Sequence, residues 1–278
     1  MVDEAKARAR FAELMASDDG QIALDRAALL VAQSEYPWLE EAPYLRRLDE
    51  MAAELRLRLS PEESPARRIA ELNTYLFGEQ AFHGNATDYY DPRNSYLNDV
   101  LDRRTGIPIT LSLVYLELAR RVGLRIEGVG MPGHFIVRCP AADDLLIDPF
   151  NQGAVLSLAD CAERLREMYG GSLRFSVDLL QTSGPREMVT RILGNLKGAY
   201  LRRGDLARAL RAVQWARLAQ PNRPEDLREQ GLLRYRLRDF RGAIADLQAF
   251  LEVAGRGPLA EQTRGQLAQI EQLWTRRN

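Results

Sequence analysis

Residues 106–153, GIPITLSLVYLELARRVGLRIEGVGMPGHFIVRCPAADDLLIDPFNQG, decide the fold of this chain of 278 residues. Residues 109–122 are apolar on nearly every face, which predicts a helix at the centre of a domain, and Gly123 ends that helix. A turn is predicted at residues 140–144. The runs around it that favour strands are 124–130, 135–138 and 145–148. This order of elements predicts an α+β domain, mostly helical, with a small antiparallel sheet.

His134 stands just before the second of these strands, and Asp148 ends the third. If residues 140–144 form the turn, position 134 falls within about one residue of directly opposite position 148, where Cβ atoms lie roughly 5 Å apart. An Asp at that distance orients an imidazole and fixes its tautomer, as in the second half of a catalytic triad. The alternative is that the pair only pins a hairpin to a helix. Gly133, before the His, lets the backbone approach closely.

A site of the cysteine-protease or transglutaminase type has this order of elements. Its nucleophilic Cys lies at the start of the helix, where the helix N-terminus stabilises the thiolate. Here that position is Pro108, which is favoured at the first helical position but has no reactive atom. Thr110 and Ser112 are the nearest hydroxyls, and both are expected to bond a backbone carbonyl one turn back. Cys139 lies five residues after the His, at the strand exit. Thr110 is therefore the only nucleophile that we would test.

Helices are predicted on both sides of this stretch, because apolar residues recur at helical spacing. Ser64 followed by Pro65 predicts an N-cap and first helical residue, and residues 94–101 predict a short helix. Ser157 is a further predicted N-cap. The predicted organisation is a transglutaminase-type domain at residues 1–180, a linker at 181–186 and a helical domain at 187–278. Within the first domain, residues 1–92 are predicted to be helical and residues 93–180 to form the core.

The second predicted domain contains a repeat. GDLARAL at residues 204–210 recurs 34 residues later as RDFRGAI at residues 238–244. That period is typical of tetratricopeptide repeats, each of which is a pair of helices. Pro221 closes the first repeat, and residues 261–274 predict a capping helix. We therefore predict an α-helical repeat region after the α+β domain.

Composition limits the class of function. The formal net charge is −1, which argues against a chain that binds nucleic acid or membrane over its whole surface. Residues 186–241 hold 14 Lys or Arg against 6 Asp or Glu. This excess fits a groove for an acidic peptide or RNA. It fits equally well solvated outer faces of repeat helices, or docking onto the acidic first domain. We favour the solvated faces or the docking, since no interleaved aromatic residues suggest base stacking.

The remaining composition predicts neither a metal site nor a membrane span. The two Cys and two His have unrelated spacings, so no zinc pattern exists and no cofactor is expected. Charged residues interrupt every apolar run, and the N-terminus has no apolar signal core. We therefore predict a cytoplasmic protein with a reduced thiol pair.

Three motifs together resemble the SirB1 family, a bacterial group with a transglutaminase-like domain and C-terminal tetratricopeptide repeats. They are YLNDVLDRRTGIPI at 96–109, GVGMPGHF at 128–135 and IDPFN at 147–151. The resemblance implies a transglutaminase-like core in which His134 and Asp148 match two of three triad positions. Pro108 departs from the third, a departure that the family shares. A related domain occurs in a eukaryotic F-box protein.

We predict a non-catalytic, regulatory or scaffolding protein that binds a protein or peptide partner, and neither membrane nor nucleic acid. The predicted binding residues are Asn98, Pro108, Gly133, His134, Asp148 and Asn151. The alternative is a peptidase or acyl-transfer enzyme that uses His134 as base, Asp148 as orienter, and Thr110 or a water as nucleophile. The loss of the Cys weighs against catalysis, because removing one triad member removes most of the rate enhancement.

Overall fold

The computed structural model describes residues 4–60 and 62–275. The chain forms two compact units, Met1–Ile192 and Leu193–Asn278. The boundary between them falls inside one helix, Pro185–Arg202. The segment predicted as a linker instead adds an edge strand, Thr182–Ser183, to the sheet of the first unit.

The first unit is mostly helical. Its helices are α1 (Glu4–Ala16), α2 (Leu24–Gln33), α3 (Glu41–Arg56), α4 (Pro65–Asn73), α5 (Leu97–Arg103), α6 (Pro108–Arg121), α7 (Leu158–Tyr169) and the start of α8 (Pro185–Arg202). The predicted N-caps are confirmed, since Ser64 and Ser157 accept hydrogen bonds from Arg67 N and Asp160 N. These caps satisfy backbone donors that the first helical turn leaves unpaired.

The strands form a five-stranded sheet and a separate two-stranded pair. They are β1 (His83–Gly84), β2 (Thr105–Gly106), β3 (Glu127–Met131), β4 (His134–Cys139), β5 (Leu145–Asp148), β6 (Ala154–Leu156) and β7 (Thr182–Ser183). The sheet has the order β6-β5-β4-β3-β7, and every neighbouring pair is antiparallel. Strands β1 and β2 pair in parallel. The turn predicted at residues 140–144 is confirmed, because Cys139 pairs with Leu145.

The sheet is covered on both faces. On one face Val129, Ile136 and Leu146 form a buried cluster with Cys161 of α7. On the other, Gly128 borders a cavity whose walls include Leu116 of α6. Helix α6 is buried over most of its length and packs against β4. The prediction of a central apolar helix is confirmed, and the sheet holds β4 and β5 in fixed positions.

The second unit is helical throughout its described residues. After α8 come α9 (Leu206–Ala219), α10 (Pro224–Arg236), α11 (Phe240–Val253) and α12 (Pro258–Thr275). The repeated Asp residues have one role, because Asp205 caps α9 and Asp239 caps α11 through backbone N–H groups three residues on. The repeated Ala209 and Ala243 are both fully buried. Among the described residues, no helix combines the length and apolarity needed to cross a membrane.

Candidate functional site

The His134–Asp148 pair lies at the ends of two neighbouring strands. His134 begins β4, Asp148 ends β5, and His134 Nε2 lies 2.9 Å from Asp148 Oδ2. Cys139 pairs with Leu145, so counting along both strands brings Ile136, not His134, opposite Asp148. The predicted register is therefore wrong, because it allowed an offset of only about one residue. The two side chains meet diagonally, since an imidazole is long enough to reach a neighbour on the same face.

The Asp148 carboxylate has hydrogen-bond partners on both oxygens. Oδ1 accepts from Phe150 N at 3.1 Å and Asn151 N at 3.3 Å. Oδ2 accepts from Asn151 Nδ2 at 2.8 Å, besides its contact with His134, and forms an ion pair with Arg164, whose Nη1 lies 2.7 Å away. Burial acts to raise the pKa of Asp148, but the hydrogen bonds and charges of His134, Asn151 and Arg164 outweigh it. The pKa of this carboxyl therefore lies below its usual value, and Asp148 carries a negative charge at neutral pH.

The pair faces α7. Alternation along β4 places His134 on the sheet face of Ile136, and Ile136 packs with Cys161 of α7. Arg164, one turn further along α7, reaches the Asp148 carboxylate. Asp148 therefore joins β4, β5 and α7, which is the arrangement of the structural alternative, a pair that pins a hairpin to a helix.

The start of α6 is occupied by a residue without a nucleophile. Pro108 is the first helical residue and is buried. The Thr110 hydroxyl accepts from Ile107 N at 3.1 Å and has the carbonyls of Asn94, at 2.7 Å, and Ile107, at 3.1 Å, as acceptors. The expected backbone bond of Thr110 is thus confirmed, and its proton is directed at the backbone. The same expectation is wrong for Ser112, whose buried hydroxyl has no hydrogen-bond partner among the described residues.

The imidazole has few contacts beyond Asp148. Within residues 4–60 and 62–275, its ring forms one further aromatic contact, with Phe150 at 6.1 Å between centroids. None of its hydrogen bonds or aromatic contacts involves α6. Phe150 in turn contacts Tyr89 at 6.1 Å and lies against Gly84 of β1. Since Gly84 pairs with Gly106, the turn before α6 is linked to His134 through Phe150 and β1.

The β3–β4 hairpin forms an exposed rim beside the pair. A Cβ atom at Gly133 would lie 2.1 Å from Met168 Cε, so the end of α7 lies directly over the hairpin turn. Met168 and Tyr169 are 49% and 38% exposed. Arg191 of α8 holds the hairpin from another side, because its Nη2 donates to the carbonyls of Met131 and His134, each at 3.0 Å.

The predicted site residues do not all lie together. Asn151 bonds Asp148 and Gly133 precedes His134. Asn98, however, lines a separate groove with Tyr36 and Trp38, and no hydrogen bond joins it to the turn before α6 in the described portion of the chain. Cys139 and Cys161 are free and buried, and burial raises the pKa of both thiols. Among the described residues, no cluster of three or more His, Cys, Asp or Glu side chains could hold a metal ion.

Three residues of the site were not predicted. Arg164 and Arg191 reach the hairpin from α7 and α8, helices that the sequence does not place beside it. Phe150 lies within the IDPFN motif, but nothing in the motif assigns it a separate role. A signal existed for Arg164 alone, because it follows the buried Cys161 by three residues and so lies on the same helix face.

Known sequences place the chain among proteins of similar architecture. The transglutaminase-like superfamily matches residues 42–194, and a tetratricopeptide repeat family matches residues 196–268. A UPF0162 protein of Xylella fastidiosa is 37% identical over 257 residues, which cover 91% of this chain and 92% of the relative. One from Pseudomonas aeruginosa is 35% identical over 69% of this chain and 70% of the relative. F-box only protein 21 of Homo sapiens is 34% identical over 51% of this chain and 23% of its own length. No solved structure matches.

Proposed function

Because the chain belongs to the UPF0162 (SirB) family of transglutaminase-like proteins with tetratricopeptide repeats, we propose that it is a non-catalytic scaffold that binds a protein or peptide partner in the cytoplasm. The observation that carries the proposal is the state of the His134–Asp148 pair. It is intact and fully hydrogen bonded at Asp148, yet no hydroxyl or thiol among the described residues bonds the imidazole. A His–Asp pair without a nucleophile retains a shaped, polar surface, and the missing triad member removes most of the rate enhancement.

The proposed contact surface is the rim formed by Gly133, Met168, Tyr169 and Asn151. Met and Tyr side chains are well suited to protein contacts, since Met adapts its shape and Tyr combines an apolar ring with a hydroxyl. Both lie exposed beside the hairpin turn. The repeat helices of the second unit offer a further surface, as helical repeats commonly do.

A binding experiment tests the proposal on the intact chain. Partners captured from cells after cross-linking would be purified and their dissociation constants measured by calorimetry. We expect the double variant Met168→Ala, Tyr169→Ala to bind at least about tenfold more weakly, because exposed anchors at an interface each contribute on the order of 1 kcal/mol or more. Val177→Ala is the matched control, since Val177 is 60% exposed in the same unit. Equal loss in the control and the double variant would contradict the proposal.

The alternative, a peptidase or acyl-transfer enzyme, has one supporting observation. His134 Nδ1 has no hydrogen-bond partner among the described residues, so it is free to accept a proton from a water. Purified protein would be assayed for amine incorporation into casein and for hydrolysis of activated esters. We expect no turnover above that of His134→Ala. Turnover that disappears in this variant would establish the enzyme in place of the scaffold.

A further inference from the structure

A second groove lies in the first unit, apart from the His134–Asp148 pair. Its volume is about 450 Å³, and it is formed by the connection from α2 to α3, by α3 itself and by α5. The lining side chains that carry the inference are Tyr36, Trp38, Glu40, Arg47, Asn98 and Asp102. We refer to it as the Asn98 groove.

Asn98 lines this groove and carries an unpaired hydrogen-bond acceptor beneath its surface. The residue is 6% exposed, and its Oδ1 is buried with no partner among the described residues. Because this oxygen has almost no surface open to the groove, a ligand bound there is recognised by the exposed lining side chains.

Trp38 contributes an aromatic surface. It is 71% exposed, an unusual state for the largest apolar side chain. Its ring packs edge to face on Tyr36 at 6.1 Å. Tyr36 is fixed in turn, because its hydroxyl donates to Asp99 Oδ2 at 2.7 Å and its ring contacts Tyr96 at 5.6 Å. The indole is thus held by its contact with Tyr36 and is open to solvent, so a cation can stack on its exposed surface.

The charge of the groove also favours a cation. Arg47 pairs with Asp102 at 3.1 Å, and Tyr44 donates to the same carboxylate at 2.9 Å. Glu40 forms no ion pair with any described residue and is exposed. With Arg47 neutralised by Asp102, the lining keeps the negative charge of Glu40. A positively charged side chain is the complement of this arrangement.

We propose that the Asn98 groove binds the side chain of an arginine or lysine in an extended peptide segment of a partner protein. The guanidinium or ammonium group stacks on Trp38 and pairs with Glu40. The exposed indole and the unpaired carboxylate are thus satisfied by one ligand. The proposal does not depend on the rim at Gly133 and Met168, and neither surface needs the other.

Short synthetic peptides test the proposal on the full chain. Acetyl-Ala-Arg-Ala-amide would be titrated against isotope-labelled protein, following the Trp38 indole N–H and the Asn98 side-chain amide by NMR. The citrulline peptide keeps the shape and donors of arginine without the charge, and the glutamate peptide reverses the charge. We expect saturable shifts with arginine, at least about fivefold weaker binding with citrulline, and none with glutamate. Equal shifts with all three peptides, or no saturation with arginine, would overturn the proposal.

Variants distinguish specific binding in the groove from non-specific binding to the protein surface. Trp38→Ala and Glu40→Gln each change an exposed side chain, so folding is preserved, and each is expected to weaken arginine binding at least about fivefold. Leu57→Ala, at a residue that is 90% exposed and outside the groove, is the control. Loss of binding in Leu57→Ala, or full binding in Trp38→Ala, would contradict the assignment.

Discussion

At the scale of single residues, Asp148 shows how a charge is kept in a fully buried position. An isolated buried carboxylate would take up a proton, because burial removes its hydration. Here two backbone N–H groups, the Asn151 amide, the Arg164 guanidinium and His134 Nε2 surround it. These donors replace the lost water. The ionised carboxylate is therefore part of the fold itself, whatever the site does.

The pH dependence of the first unit follows from this residue. The folded pKa of Asp148 is lowered, so its charge stabilises the fold above the ordinary Asp pKa of about 3.9, and the gain is lost as pH falls through the folded pKa. We expect Asp148→Asn to lower the free energy of unfolding by about 3 kcal/mol at pH 7. The difference in stability from the wild type should narrow below about pH 4. Amide hydrogen exchange of β4 and β5 measures both. The exposed Asp143→Asn is the control, and a gap that stays constant with pH would exclude this role for the charge.

Gly133 is required by backbone conformation more than by space. Its φ is +70°, and a Cβ atom would meet the flexible end of Met168 and, at 3.3 Å, the Tyr169 hydroxyl. We expect Gly133→Ala to destabilise the first unit by about 1 kcal/mol, the usual cost of a left-handed non-glycine residue. Adding Met168→Ala should leave most of that loss, because it relieves the contact and not the strain. Gly78→Ala, where φ is not positive and nothing lies within 4 Å, should be neutral. Thermal melts of the wild type and the three variants measure these effects. Full recovery of stability in the Gly133→Ala, Met168→Ala double variant would show that the steric contact is the cause.

At the scale of elements, the sequence predicted the segments with strong periodicity. Helix α6, strands β4 and β5 and the turn between them follow from apolar runs bounded by Gly, Pro and Asp. The edge strands β6 and β7 were missed, since each is only two or three residues long and carries little pattern. Register was the weakest inference, because a slip of two residues leaves every side chain on the same face of the sheet.

The two helix caps of the repeat are a prediction at this scale. Asp205 Oδ1 accepts from Arg208 N at 3.0 Å, and Asp239 Oδ1 from Gly242 N at 2.9 Å. We expect Asp205→Ala and Asp239→Ala each to lower the free energy of unfolding by about 1 kcal/mol. The Asn variants should lower it by only a few tenths of a kcal/mol, because Asn keeps the capping oxygen. Hydrogen exchange of the amides in α9 and α11 measures each cap separately. If Asn and Ala variants lose equal protection, the carboxylate charge and not the cap would be responsible.

At the scale of the whole chain, family membership confirms the predicted architecture of a transglutaminase-like domain and a repeat region. The site is different, because its composition depends on tertiary packing. Arg164 and Arg191 join the hairpin from helices distant in sequence. Asn98, which lies in the YLNDVLDRRTGIPI motif, lines another groove instead. The motifs thus identified residues that are close in sequence, whereas tertiary packing decides which of them lie in the same site.

The uneven charge of the chain leads to the last prediction. The basic stretch at 186–241 has an excess of +8, and the net charge of −1 leaves −9 on the rest of the chain. Of its ion pairs Lys197–Glu229, Arg208–Asp205 and Arg234–Asp246, at 2.6, 2.7 and 2.9 Å, only the last has its acid outside the stretch, so pairing lowers the excess only from +8 to +7. The acidic remainder of the chain repels a polyanion and so opposes its binding to this stretch.

We therefore expect the full chain to bind a labelled oligouridine more weakly than about 100 µM at an ionic strength of about 0.15 M, the weak end of non-specific binding. Fluorescence anisotropy measures this directly. Any residual binding should disappear at higher salt and be reduced by Arg236→Glu and Arg241→Glu, at positions for which the described residues form no ion pair. Binding that is tight at about 0.15 M and persists as salt rises would require contacts to the bases. That result would replace the solvated-face interpretation of the stretch with an RNA groove.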